Sequence, residues 1–209
     1  MLNKLFLLLL FCSALHAQED KAAPKIALGL SYGFGNEFRN IDYSYTNKYI
    51  QAQFYCTLNP GRKWEYVVAL QPEANFATHR LLNLYFVTPD NPDYIQKRDE
   101  YTKLKNIREY VLNVAFFAKR KVTAKLSLYA MANIGPMIID TETERLSEGF
   151  AFCDVFALGA SYSFKSFILD LRPNIRHVSN AGLNRPNSGY NSFNIGFSVI
   201  VPLKLKSNS

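Results

Sequence analysis

The sequence predicts an all-β protein: an eight-stranded antiparallel transmembrane β-barrel of the outer-membrane type, preceded by an N-terminal signal peptide. Three observations carry this expectation. The first residues have the layout of an export signal. The remainder alternates apolar and polar residues with period two and holds no apolar run long enough to cross a bilayer as a helix. The links between the alternating runs are long and short in turn, as in barrels with external loops on one side and tight turns on the other.

Residues 1–17 read as the signal: Lys4 supplies the positive start, "LFLLLLFCSAL" the apolar stretch, and "LHA" before Gln18 the cleavage site. Residues 18–209 then form the barrel domain. Its first run, "KIALGLSYGFG", sets Ile26, Leu28, Leu30, Tyr32 and Phe34 on one face. "KYIQAQFYCTL" opposes Ile50, Ala52, Phe54, Cys56 and Leu58 to Tyr49, Gln51, Gln53 and Thr57. "WEYVVALQPEANF" opposes Trp64, Tyr66, Val68 and Leu70 to Glu65, Gln71, Glu73 and Asn75. "REYVLNVAFF" aligns Tyr110, Leu112, Val114 and Phe116, and "KLSLYAMANIG" aligns Leu126, Leu128, Ala130, Ala132 and Ile134. In "GFAFCDVFALGASYSF" the charge of Asp154 falls in phase with Phe152 and Phe156, which a β-bulge would explain. "SFILDLRPNIRHVS" sets Phe167, Leu169, Leu171, Pro173 and Ile175 against Asp170, Arg172, Asn174 and Arg176; "NSFNIGFSVIV" aligns Phe193, Ile195, Phe197, Val199 and Val201.

The expected links are residues 36–46, 78–105, 137–149 and 180–189 on the long side, and 59–63, 119–121 and 164–165 on the short side. Period two alone leaves the barrel's polarity open, because a soluble periplasmic lipid-binding barrel would turn its apolar face inward. The alternating link lengths and the charges Glu65, Glu73, Asp170, Arg172 and Arg176 on the polar face favour the membrane form. Eight strands leave no open channel, so a porin is a poor fit. The formal charge is +7, one unit of it Lys4. Export argues against nucleic acid as partner and for anionic lipid. Cys56 and Cys153 fall near opposite ends of the barrel and are expected to stay unpaired, and no Cys/His cluster suggests a metal. His79 opens a loop, where it is expected at the head groups. Arg80, Lys97, Arg98, Lys103, Lys105 and Arg185 fall in external loops, either meeting lipid phosphates or simply solvated.

One strand end raises a chemical question. Extending the lipid-facing series of the seventh run past Ile175 brings His177 and Ser179 to the outer rim, and Asn191 lies in phase with Phe193 on the returning strand. A hairpin centred on Arg185 sets Ser179 against Asn191 and His177 against Phe193. A hydroxyl, an imidazole and a carboxamide thus gather on one apolar face. Serine needs an adjacent base to act as a nucleophile, histidine can take and return its proton, and a third group fixes the imidazole tautomer. Backbone N–H groups of the loop starting at Asn180 would face a developing oxyanion. The pattern also suits rim residues that merely meet head groups.

"RHVSNAGL" followed by "PNSGYN", within residues 174–198, resembles the lipid A 3-O-deacylase (PagL) family. The resemblance implies an outer-membrane esterase that removes the 3-O acyl chain from lipid A of lipopolysaccharide, with a Ser–His–acid triad and no metal or other cofactor. Ser179 becomes the nucleophile, His177 the general base, and the backbone around Asn180 the oxyanion donor. The family's acid is a glutamate twelve residues after the serine, where this chain has Asn191. An amide holds an imidazole but does not neutralise an imidazolium. Three outcomes follow: Asn191 suffices, Asp154 stands in as the acid, or the barrel has lost the chemistry. The last leaves a non-catalytic eight-stranded barrel with a role in adhesion or envelope integrity. The expected partners are lipid A and the outer membrane.

Overall fold

In a computed structural model, residues 25–203 are described; the signal segment 1–17 lies outside them, as do 18–24 and 204–209. The strands are β1 (Lys25–Glu37), β2 (Tyr43–Thr57), β3 (Trp64–Leu81), β4 (Lys105–Lys121), β5 (Leu126–Ile139), β6 (Gly149–Ser163), β7 (Ile168–Ser179) and β8 (Tyr190–Pro202). Each pairs antiparallel with the next, and β1 closes on β8 from Ala27↔Pro202 to Glu37↔Ser192. Closure pairs every strand edge, which is what a sheet in hydrocarbon requires.

Side-chain direction settles the polarity of the barrel. Leu30 (61 % exposed) and Phe156 (55 %) point out, while Gln53 (1 %), Asn75 (0 %) and Glu109 (0 %) point in. A face that apolar has a stable home only in lipid, so the soluble alternative is excluded. An aromatic girdle marks the rim beside the short links: Tyr66 stacks on Phe116 at 5.9 Å, and Phe164 on Phe167 at 4.6 Å.

The interior is a paired polar core. Arg176 bridges Glu73 and Glu109, the latter at 2.9 Å, and Asn75 Nδ2 donates to Glu109 at 2.8 Å. Nearer the short links, Arg172 meets Asp170 at 3.1 Å and the hydroxyls of Tyr55 and Tyr129 at 3.1 and 3.0 Å. Buried charges survive only with such partners, and the sequence placed Glu73, Asn75, Asp170, Arg172 and Arg176 in this network correctly. Cys56 and Cys153 are free, Cys153 inside the barrel.

Three expectations are corrected. The first external link is residues 38–42, not 36–46. Asn36 still pairs with Thr46, because the strands continue above the hydrocarbon layer, where the outer face turns polar and Tyr43 and Tyr45 turn inward, so the lipid-facing apolar series stops. β6 has no bulge at Asp154: its register against both neighbours is unbroken there, from Phe152 to Phe156, so the carboxylate stands on the outer face. The long link is residues 82–104, not 78–105, because β3 runs on to Leu81. It carries a short 3-10 turn (Leu84–Phe86) and a helix α1 (Tyr94–Tyr101), and packs Val87 and Tyr101 onto Leu81. Of the eight residues in "YIQKRDEY" only Tyr101 is fully buried, so the sequence shows little amphipathic pattern to mark the helix.

Candidate active site

The last hairpin pairs His177 with Asn191 and Val178 with Tyr190; one further step sets Ser179 opposite Gly189. The hairpin is therefore centred one residue earlier than Arg185, and each expected partner moves by two. A shift of two preserves the face, so His177, Ser179 and Asn191 do share the outer rim. The displacement arises in the loop, where Ala181 (φ 53°), Gly182 (φ 80°) and Gly189 (φ 63°) adopt left-handed backbone.

His177 Nδ1 lies 2.7 Å from Asn191 Oδ1. A carboxamide oxygen only accepts, so Nδ1 carries the proton and Nε2 keeps a free lone pair. That tautomer suits a general base. Asn191 is itself held from inside the barrel: its N–H donates to Tyr43 Oη at 3.1 Å, and its carbonyl accepts from Phe38 N–H at 2.9 Å. On the other flank, Asp154 of β6 is the register partner of His177. It is exposed and has no hydrogen bond or ion pair among the described residues. The imidazole therefore sits between an amide that orients it and a carboxylate that adds charge beside it.

Ser179 is half-buried, with Phe152 as its register partner on β6. No hydrogen bond joins its hydroxyl to His177 in this arrangement, and such contacts often tighten only with substrate. Gly189 explains how the two side chains come together. A methyl group there would lie 3.4 Å from both His177 Cε1 and Ser179 Cβ, and 2.5 Å from the Val178 carbonyl. Glycine is thus required twice, for its positive φ and for the close approach of the Val178 carbonyl.

Asn180 does not offer its N–H freely: it donates to Asn187 Oδ1 at 2.8 Å. Its buried carboxamide pins the loop, donating to Ser147 Oγ and Asn184 O, each at 2.9 Å, and accepting from Gly182 N–H at 3.0 Å. The next residue, Ala181, has an N–H with no partner among the described residues.

Sequence reasoning missed a clamp from the β5–β6 link. Arg145 O accepts from Ser188 and Gly189 N–H at 2.7 and 3.0 Å, and Arg145 Nε donates to Gly189 O at 2.6 Å. Ser147 N–H donates to Pro186 O at 3.1 Å, and Leu146 bridges Asn187. The guanidinium lies 4.8 Å from the Tyr43 ring, the same tyrosine that holds Asn191. Beside it, Glu144 is anchored by His79 at 2.9 Å. His79 is thus buried (1 % exposed) under the loops and does not reach head groups. No spacing in "TETERLSEGF" announces these contacts.

The model of the lipid A 3-O-deacylase (PagL) family matches residues 92–199, about half of the chain and the part that contains Asp154, His177, Ser179, Asn180 and Asn191. The chain belongs to the lipid A 3-O-deacylase (PagL) family. It is accordingly an outer-membrane ester hydrolase of that family. Among solved structures, the chain is similar to the outer membrane enzyme PagL at 12 % identity, with a TM-score of 0.55, covering 84 % of this chain and 99 % of that one. It is also similar to Neisserial surface protein A (10 %, TM-score 0.43, 88 % and 99 % covered) and to OprG from Pseudomonas aeruginosa (10 %, 0.44, 86 % and 97 %). At these identities the likeness concerns the barrel fold. No curated protein matches the chain.

Proposed function

We propose that the protein is a serine esterase that removes an ester-linked acyl chain, the 3-O chain, from lipid A in the outer leaflet. One observation carries this: the 2.7 Å contact of His177 with Asn191 on the lipid-facing rim, with Ser179 beside it, in a chain of this family. A substrate carbonyl at that depth belongs to a lipid, and Phe152 and Phe193 supply apolar walls for its chain.

Ser179 Oγ attacks the acyl carbonyl carbon, and its proton passes to His177 Nε2. The tetrahedral intermediate collapses with cleavage of the bond to the sugar oxygen, which takes the proton back from Nε2. Water, deprotonated by the same nitrogen, then attacks the acyl-serine, and the fatty acid and free Ser179 are released. Donors for the oxyanion come from the loop after the nucleophile: the Ala181 N–H, with the Asn187 carboxamide, whose oxygen is held by Asn180, presenting its Nδ2. Asn191 keeps the imidazole in the productive tautomer. Asp154 supplies the negative charge that Asn191 lacks when the imidazolium forms.

The test is mass spectrometry of lipid A from cells expressing the intact protein or Ser179→Ala. Loss of one hydroxyacyl mass with the intact protein alone is expected. Identical spectra, with both proteins folded in the outer membrane, sink the reading and leave a barrel without this chemistry.

A further inference from the structure

The six cations that the sequence assigns to external loops do not share one role. Lys103 pairs with Asp99 at 2.7 Å and Lys105 with Glu100 at 2.6 Å. Arg98 donates to Val87 O at 2.9 Å and stacks on Tyr94 at 5.0 Å. Arg80 stands on the outer face of β3. Lys97 and Arg185 differ from these in place: both line one cleft of about 730 Å³ above the barrel mouth, and neither side chain has an ion pair among the described residues. One wall of the cleft is the 82–104 link with α1, and the other is the β7–β8 loop, including Asn184 and Asn187.

This cleft adjoins the catalytic loop. Asn187 on its wall accepts from the N–H of Asn180, the residue after Ser179. Its far wall is braced, because Tyr101 Oη donates to Glu142 at 2.7 Å. Burial first, and then that carboxylate, push the Tyr101 phenol well above its ordinary range, so it remains a donor. The one acid on the cleft wall, Glu144, is committed to His79 at 2.9 Å. Two uncompensated cations from separate loops and a set of carboxamides, around a space of sugar size, match a phosphorylated sugar: the cations take the phosphate and the amides the hydroxyls.

We infer that the cleft between the 82–104 link and the β7–β8 loop binds the phosphorylated sugar headgroup of the substrate lipid, with Lys97 and Arg185 as its phosphate contacts. This rests on the proposed lipid A esterase reading and names the part of the lipid that the esterase holds outside the membrane. It orients the acyl ester toward Ser179 while the chain lies in the outer leaflet.

The experiment uses the full-length Ser179→Ala protein folded in detergent, so that ligand is bound and not consumed. Its affinity is measured for bisphosphorylated lipid A, for dephosphorylated lipid A and for inorganic phosphate. Binding of the bisphosphorylated lipid is expected to weaken about tenfold for each of Lys97→Gln and Arg185→Gln, with the preference over dephosphorylated lipid shrinking in step. Arg80→Gln should retain the preference. The inference is overturned if the phosphate preference survives both cleft substitutions. It also fails if Arg80→Gln erodes the preference equally, which would mean diffuse surface charge, or if inorganic phosphate binds as tightly as the lipid, which would mean a free-anion site. Failure of the esterase reading looks different: the intact protein does not hydrolyse lipid A, whatever the binding data say.

Discussion

Replacing Asn191 by Asp tests what the family's missing acid is worth in this barrel. The change keeps the side chain's length, so an oxygen remains about where Asn191 Oδ1 now lies, 2.7 Å from His177 Nδ1. What it adds is a negative charge centred about 4 Å from the imidazolium, worth roughly 1 kcal/mol in bulk water and roughly 4 kcal/mol at the effective dielectric of a protein surface. His177 and Asn191 stand at the head-group rim, so a value of roughly 1–2 kcal/mol within that range applies. At about 1.4 kcal/mol per decade, kcat/KM should rise about five- to thirtyfold. The gain should appear in kcat, since the charge develops on the histidine only in the transition state. The assay is release of fatty acid from lipid A in mixed micelles across a pH series. An Asn191→Asp protein that folds but shows no higher kcat would refute the idea that the charge available beside the imidazolium limits this site.

Three further outcomes follow from the same geometry. Asp154→Asn should lower kcat several-fold with KM unchanged, and should cost less when combined with Asn191→Asp, since one carboxylate then replaces the other; additive losses in that cycle would separate Asp154 from the imidazole. Gly189→Ala should abolish hydrolysis, because its methyl meets the Val178 carbonyl at 2.5 Å, and should cost about 1–2 kcal/mol for the left-handed backbone, read by thermal unfolding in detergent. Glu73→Gln leaves Arg176 with Glu109 as its sole acidic partner, so barrel stability should fall by about 3 kcal/mol, measured as a lower unfolding midpoint, with lipid A hydrolysis at temperatures below it little changed.

Much of the barrel was legible because its signals are local. Period-two alternation depends only on neighbours along the chain, and it assigned Ile26 through Phe34, or Phe167 through Ile175, to the lipid face. The ends of strands were less legible. Beyond the hydrocarbon, Asn36 and Thr46 remain paired although the outer face there is polar and Tyr43 and Tyr45 turn inward, so no lipid-facing apolar series marks them. Helix α1 was missed for the same reason, since it buries little beyond Tyr101. Asp154 was read as a bulge because a carboxylate on a lipid-facing strand breaks the local rule; the strand is regular, and the exception marks the site.

By itself the sequence determined the barrel, the face of each strand residue, and the gathering of His177, Ser179 and Asn191 on one outer rim. All of these follow from parity, which a change of hairpin centre by one residue leaves intact. The tertiary structure decided the partners. It set Asn191, not Ser179, opposite His177, and it placed Asp154 on the imidazole's other flank. It turned the Asn180 N–H toward Asn187, and tied Gly189 to Arg145, 44 residues away. Such choices rest on left-handed turns in one loop and on hydrogen bonds from another, and distances of a few tenths of an ångström between remote segments leave no period in a sequence.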